Sequence, residues 1–561
     1  MSKNSEHYTS RLLLFLGILF SGFVISNRWY FLLKLDYPAL ATSVEDDVFY
    51  YFQPAWNFRE YHYFTFDGIH AMYGFQPLWM LPLVGLSFIC PDKEIFLRAS
   101  LMLASFCFLG AGYYLYRLLR RYGNPYEAAF ATLLFWLANP GVHEIVTRGK
   151  ENALQCLLLM AAVYHGSHTL RIGLSKKADQ RLWLRQIGLG LLFGLLILCR
   201  TNALIVLLFY GALALVLGRR QLGGAVSGLA RTGLACAAVI LPWAIYAQMQ
   251  FGTVLPTSGV AKLNNLHAMA LLPLLRPHEL LLLVRGSLNG FAMVMPFVLL
   301  LGVLSLVLLR RQKVHKIQGG RGISALLRRH AGVVLLLLYG VSNAIITYTV
   351  LHPWYEYGQW YRAPEQCANA ALFGIMMVCL LRRMRIRQSL PQIYRWQLVG
   401  LTLIYIGTLA FVTGWKNIAY VRSTADRKGY LVDVYKASEW IKANIAPGSR
   451  IGSWNCGLLG YLLDGYHVVN LDGLANDLAY LRVSTSGNPA SLLNYLSEEK
   501  ISYLCDADRT DHPDQKYFKL YPMDTAQLLY QGQSPVYFDR YDRRLILIKI
   551  DHGPVPVPSG P

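Results

Sequence analysis

The chain of 561 residues is 54% hydrophobic and only 15% charged, with 53 Lys and Arg against 32 Asp and Glu, a net charge of +21. Soluble domains carry about a quarter of their residues as charges, so an ordinary soluble globule is excluded. A basic surplus of this size on a soluble chain points to nucleic acid, but here long apolar runs account for the composition first and no nucleic-acid partner is expected.

A helix needs about 20 mainly apolar residues to cross the hydrocarbon core. In chain order such runs fall at 11–33, 94–118, 126–145, 152–170, 187–201, 203–218, 225–249, 288–309, 331–351, 366–382 and 397–414, predicting eleven transmembrane helices. The run at 77–90 is short, opens on proline and reads as interfacial or re-entrant. The cationic start followed by an apolar run also fits a signal peptide. Because the run continues through Trp29, Tyr30, Phe31, Leu32 and Leu33 with no small-residue cleavage site, an uncleaved first helix is expected.

With the N-terminus inside, the inside segments hold 25 of the basic residues and three acids, Glu6, Glu127 and Asp179. The inside is then about +22 and all else about −1, which is the asymmetry that the positive-inside rule demands. An odd number of spans puts the C-terminus outside. The expected organisation is a membrane domain over 1–415 with outside loops at 34–93 and 250–287, a soluble α/β domain over 416–550, and a disordered Pro-rich tail at 551–561. Within the α/β domain, 430–445 and 491–500 read as helices and 450–454, 467–471, 501–504 and 544–550 as strands. Seven of the nine cysteines lie in or beside apolar runs; Cys456 and Cys505 lie in the outside domain and are able to pair in an oxidising compartment. No Cys/His cluster has zinc spacing, no GxxxxGK[ST] phosphate loop is present, and no cofactor is expected; the sequence leaves a divalent-metal requirement open.

Structureless loops above about 15 residues usually do work, which directs attention to the outside loops at 34–93 and 250–287. The first contains Glu45, Asp46 and Asp47 in succession, where mutual repulsion favours raising one pKa and so suits a general base. An acidic first turn of a helix facing water would look the same. Asp67, before Gly68, reads as a turn residue. Glu151 opens a predicted helix, where a carboxylate also suits the dipole. The aromatic loop with Trp354 and Tyr357 suits either stacking on a sugar or an interfacial belt.

These residues carry a resemblance. DDVFYYFQPAWNF at 46–58, FTFDG at 64–68 and YGFQPLW at 73–79 resemble the first periplasmic loop of bacterial GT-C glycosyltransferases, polytopic enzymes that use polyprenyl-phosphate-linked sugars. RGKENAL at 148–154, RTNAL at 200–204 and FGTVLPTS at 251–258, followed by Lys262, resemble the GMExxL, RTDAL and FGxxxPNSxxAK elements of the family, and RIGSWNCG at 450–457 and NLDGLAN at 470–476 resemble GxWNxG and NLDGLVN of one subfamily. Gln76 stands where the family has His, Lys150 where it has Met, and Asn202 where it has an acid.

The resemblance implies a GT-C-like fold in a bacterial inner membrane, N-terminus cytoplasmic and C-terminal domain periplasmic. It implies inverting transfer of a hexose or pentose from a polyprenyl-phosphate donor to a glycan, lipid-linked saccharide or surface protein such as a pilin. It implies Asp46 or Asp47 as the base, the first matching the first Asp of the motif, and nothing in the spacing decides between them. The candidates for the donor phosphate are Lys262, which has a motif match, and the outside-facing cations Arg200 and Arg148; for the substrates they are Glu45, Tyr50, Gln76, Trp79, Glu151 and Asp472 of the matched elements, with Trp354 and Tyr357 of the aromatic loop and Arg362. The alternative is a transporter or flippase of lipid-linked sugars, which would place charges at mid-membrane in two matching halves; no such internal repeat is visible.

Overall fold

The computed structural model describes residues 3–173, 181–263, 276–288, 323–351, 359–386, 400, 407–408, 429–486, 488–508, 527–535 and 544–550. The chain divides into two compact units. One comprises Met1–Leu33, Leu101–Pro242 and His267–Tyr420; the other comprises Lys34–Ser100, Trp243–Leu266 and Val421–Pro561.

The first unit is helical. Among the described residues, six helices of the chain are long and apolar enough to cross a membrane, at Lys93–Leu119, Leu182–Cys199, Thr201–Gly218, Leu222–Phe251, Leu327–Thr349 and Trp360–Arg382. Helices Lys3–Lys34 and Asn152–Gly173 cover two more of the predicted runs. All of the predicted run 288–309 after Leu288, and most of 397–414, lie outside the described residues.

Two breaks are informative. The run read as one span at 126–145 is divided: helix Pro125–Thr132 passes into a π-helical turn Leu133–Leu137, and a new helix Pro140–Val146 begins. Pro140 has no N–H to continue a helix, and the Asn139 side chain accepts the N–H groups of Gly141 at 3.1 Å and Val142 at 3.3 Å, capping a fresh start. At Arg200 the backbone is extended, φ −159° and ψ 115°, and separates Leu182–Cys199 from Leu204–Gly218.

The second unit is built on a five-stranded sheet with β1 Arg450–Ser453, β2 His467–Asn470, β3 Tyr503–Asp508, β4 Gln527–Pro535 and β5 Arg544–Lys549, in the order β2-β1-β3-β5-β4. β1 pairs parallel with β2 and β3, while β5 pairs antiparallel with β3 and β4. Helix Gly457–Leu462 makes the crossover from β1 to β2, and Leu478–Thr485 and Pro489–Glu498 the one from β2 to β3. The core joins Val469, Leu504, Ile546 and Ile548 of the sheet, with Leu471 just after β2, to Tyr480 and Leu496 of those helices. β4 was absent from the sequence reading because an edge strand with Gly532 and Pro535 has no alternating pattern. Cys456 and Cys505 are both buried free thiols rather than a disulfide.

Helices Phe49–Tyr61 and Pro77–Ile89, from the first outside loop, belong to this same unit. The second of these has 13 residues, the length expected of an interfacial or re-entrant segment. Lys93 is buried in the unit and donates to Gln53 Oε1 at 2.8 Å, the Tyr461 carbonyl at 2.6 Å and Asp464 Oδ1 at 2.6 Å, tying the first-loop helix to the crossover helix.

Candidate active site

The acidic element of the first loop forms a short 3-10 turn, Asp46–Val48, leading into helix Phe49–Tyr61. Its partner is the loop after β1, where five consecutive backbone N–H groups are satisfied by side chains. Trp454 and Asn455 donate to Asp506 Oδ2 at 2.6 and 2.8 Å, and Cys456 donates to the Tyr50 hydroxyl at 3.2 Å. Gly457 and Leu458 donate to Asp46 Oδ2 at 3.0 Å and Oδ1 at 2.8 Å. Glycine is required at 457, because a Cβ there would overlap the Asp46 carbonyl oxygen.

Tyr50 joins this loop to the second element of the C-terminal domain. Its hydroxyl donates to Asp472 Oδ2 at 3.2 Å and accepts from Asn470 Nδ2 at 3.4 Å, while Asp472 Oδ1 accepts the Leu474 N–H at 2.7 Å. Asp46 and Asp472 are thus brought together with Asp47 from opposite ends of the sequence. Burial pushes Asp46 up to about 7 against the pull of the Leu458 N–H, and the charge of Asp47 adds to the rise. Burial likewise pushes Asp472 up to about 7, opposed by the Leu474 N–H and assisted by Asp47. A carboxylate poised near neutrality is what a general base requires.

The third family element closes on the same unit. Thr257 N–H donates to the Tyr73 carbonyl at 2.7 Å, and Trp243 Nε1 donates to the Tyr73 hydroxyl at 2.8 Å. Gly74 is pressed against the Leu474 carbonyl, where a Cβ could not fit. Gln76 donates its N–H to Tyr51 at 3.1 Å, but Gln76 Oε1 and Thr257 Oγ1 are buried without a hydrogen-bond partner among the described residues. Glu45 is half-buried, and Trp79, three residues after Gln76, is fully buried. Lys262 lies on the short helix Thr257–Leu263 of this unit.

Two residues the sequence did not single out matter here. Asp506 is a fully buried strand residue that orders the loop after β1. His70 bonds Asp67 Oδ2 at 2.6 Å and lies 3.3 Å from Glu499 Oε1, which gives Asp67 a partner as well as a turn. Burial pulls His70 down, but Asp67 and Glu499 outweigh it and raise the imidazole to about 9.

The remaining predicted residues fall in the helical unit. Arg200 donates to Glu151 Oε1 at 2.6 Å, both side chains buried, and its guanidinium lies 4.8 Å from the Tyr361 ring centroid. Arg148 pairs with Glu144 at 2.9 Å; burial, helped by Arg28, lowers it to about 10, which still leaves it charged at neutral pH. Lys150 sits 3.5 Å from the Trp360 ring centroid, and Arg362 donates to the Gly286 carbonyl at 3.0 Å. Trp354 and Tyr357 lie outside the described residues. Among the described residues, no group of three or more His, Cys, Asp or Glu side chains is arranged to hold a metal ion.

The chain is similar in structure to ArnT from Cupriavidus metallidurans, both in its apo state and bound to undecaprenyl phosphate. Each comparison gives a TM-score of 0.53 at 11% identity, covering 95% of this chain and 97% of ArnT. The archaeal oligosaccharyltransferase AglB from Archaeoglobus fulgidus, in complex with an inhibitory peptide and a dolichol-phosphate, matches at a TM-score of 0.52 and 13% identity, covering 90% of this chain and 70% of AglB. The chain has the GT-C fold. The GT-C likeness extends over nearly the whole chain, and the helical unit makes this a multi-pass membrane protein. Residues 417–543 match a domain of unknown function, DUF8728. A comparison with curated protein sequences finds no match.

Proposed function

We propose that the protein is a membrane glycosyltransferase that moves a monosaccharide from a polyprenyl-phosphate donor to a hydroxyl acceptor on the periplasmic face of a bacterial inner membrane. The observation that carries this reading is the trio Asp46, Asp47 and Asp472 gathered around Tyr50 on a GT-C fold, with two of its members raised to about 7. The charge asymmetry of the sequence supports the orientation, N-terminus inside and C-terminal domain outside.

In the reaction, Asp46 removes the acceptor's hydroxyl proton as its oxygen attacks the anomeric carbon. The bond from that carbon to the phosphate oxygen breaks on the opposite face, so the configuration inverts and polyprenyl phosphate leaves. Two N–H groups hold the Asp46 carboxylate in place, so its position is fixed before substrate arrives. Lys262, which follows the FGTVLPTS element, balances the charge on the departing phosphate. Gln76 and Thr257, each with an unpaired polar atom, offer contacts to the sugar or the acceptor. The acceptor is a glycan, a lipid-linked saccharide or a surface protein.

Incubation of the purified protein with a panel of polyprenyl-phosphate pentoses and hexoses, reading release of polyprenyl phosphate, tests the reading. Release from at least one donor, abolished by Asp46→Asn, is expected. No release from any donor, or full activity in a folded Asp46→Asn protein, overturns it.

A further inference from the structure

The helical unit holds a second polar cluster that this chemistry does not use. It lies at the N-terminal ends of two membrane helices, Asn152–Gly173 and Ala363–Ile386, and is tied together by side chains. Gln155 Nε2 donates to the Tyr339 hydroxyl at 3.1 Å, Tyr339 donates to Asn202 Oδ1 at 3.1 Å, and Asn202 Nδ2 donates to Asn343 Oδ1 at 2.7 Å. Asn343 Nδ2 then donates to Glu365 Oε2 at 3.0 Å and to the Tyr361 carbonyl at 2.8 Å. Asn152 Nδ2 donates to the Trp360 carbonyl, and Gln366 Nε2 to the Arg362 carbonyl at 3.2 Å.

Five members of this layer are bonded at one end only. Glu151 Oε2, Asn152 Oδ1, Gln155 Oε1, Glu365 Oε1 and Gln366 Oε1 are buried without a hydrogen-bond partner among the described residues, on residues no more than 5% exposed. An unsatisfied buried acceptor costs about 1–3 kcal/mol, and native interiors hold only a few per hundred residues. Five of them on two short stretches, Glu151–Gln155 and Glu365–Gln366, of which Gln155 and Glu365 are joined through Tyr339, Asn202 and Asn343, mark a place that receives hydrogen-bond donors. Every unpaired atom is an acceptor, and this fixes the chemistry of the guest. A phosphate offers only acceptors and would face five oxygens of its own kind. A sugar ring offers several hydroxyl donors at once.

We propose that this layer is a glycosyl subsite, in which Glu151, Asn152, Gln155, Glu365 and Gln366 accept the hydroxyl groups of the sugar carried by the lipid-linked donor. The proposal rests on the reading above for the identity of that donor. It assigns discrimination among sugars to the membrane unit and leaves the phosphate to other residues.

The test compares two lipid classes on the full-length protein in nanodiscs. Native mass spectrometry measures competition between bare undecaprenyl phosphate and a panel of undecaprenyl-phosphate pentoses and hexoses. At least one sugar-bearing lipid is expected to bind about tenfold more tightly than the bare lipid. Gln366→Met and Glu365→Gln, each checked by thermal unfolding and each sufficient if the other fails to fold, should remove most of that preference while leaving bare-lipid affinity unchanged. Equal affinity for bare and sugar-bearing lipids throughout the panel, variants that weaken both lipids alike, or variants that change neither would show that the layer holds water only and overturn the proposal. Since the readout is binding, sugar preference without any release of polyprenyl phosphate would sink the enzymatic reading and leave the subsite standing.

Discussion

Leu458 donates its backbone N–H to Asp46 Oδ1 at 2.8 Å across 412 positions of sequence. With the neighbouring bond from Gly457, it makes the acidic turn of the first loop and the loop after β1 one structure. A carboxylate held by two amides is well positioned for catalysis and also bears on the packing of its own unit, and the two roles are separable by experiment.

Asp46→Asn retains one acceptor oxygen for these amides and loses the basic group. Polyprenyl phosphate release should fall by about 10²–10⁴-fold. The loss of one hydrogen bond to a charged acceptor should cost only about 1.5–3 kcal/mol in stability. Single-turnover assays and thermal unfolding of the same preparation separate the two effects.

The pH dependence follows from the same geometry. A base with its pKa at about 7 works in its deprotonated form, so activity should rise as pH passes upward through about 7. Asp47→Asn removes a charge that helps hold Asp46 up, so the rising limb should move to lower pH with activity retained. A profile that stays in place, or moves upward, would remove Asp46 from the base role.

Gly457→Ala places a methyl group on the Asp46 carbonyl, and Gly74→Ala places one on the Leu474 carbonyl. Neither neighbour is a flexible side-chain end. Each substitution should destabilise the second unit by about 1–3 kcal/mol, measured as a lower unfolding midpoint in detergent. The Gly457 variant should also lose activity in proportion to the displacement of Asp46.

His70 sits between Asp67 and Glu499 with its pKa raised from 6.5 to about 9. A group raised on folding contributes stability that is fully present below its unfolded pKa and disappears as pH rises through the folded value. The stability difference between wild type and His70→Gln should therefore be constant below pH 6.5 and shrink steadily up to pH 9. Unfolding midpoints across that range check it.

Arg200→Ala leaves Glu151 buried without its cation, a change expected to cost about 3–5 kcal/mol. The double variant Arg200→Met with Glu151→Gln removes both charges and should recover much of that loss. Thermal unfolding of wild type and the two variants measures the loss and the recovery.

The sequence alone determined that this is a multi-pass membrane protein with a C-terminal α/β domain, because span length and strand alternation are local properties of the chain. The acidic triplet, Tyr50 and Asp472 were also legible there, as candidates spread over more than 400 positions. Two further points needed tertiary structure. Asp472 bonds Tyr50 and Asp46 bonds the loop after β1, and the two acids lie together because β1 and β2 are parallel neighbours whose following loops share one end of the sheet. Their pKa values near 7 come from burial and from the charge of Asp47, neither of which a residue carries in its own letter. For the same reason neither the role of Asp506 nor the bond from Arg200 to Glu151 is visible in the sequence.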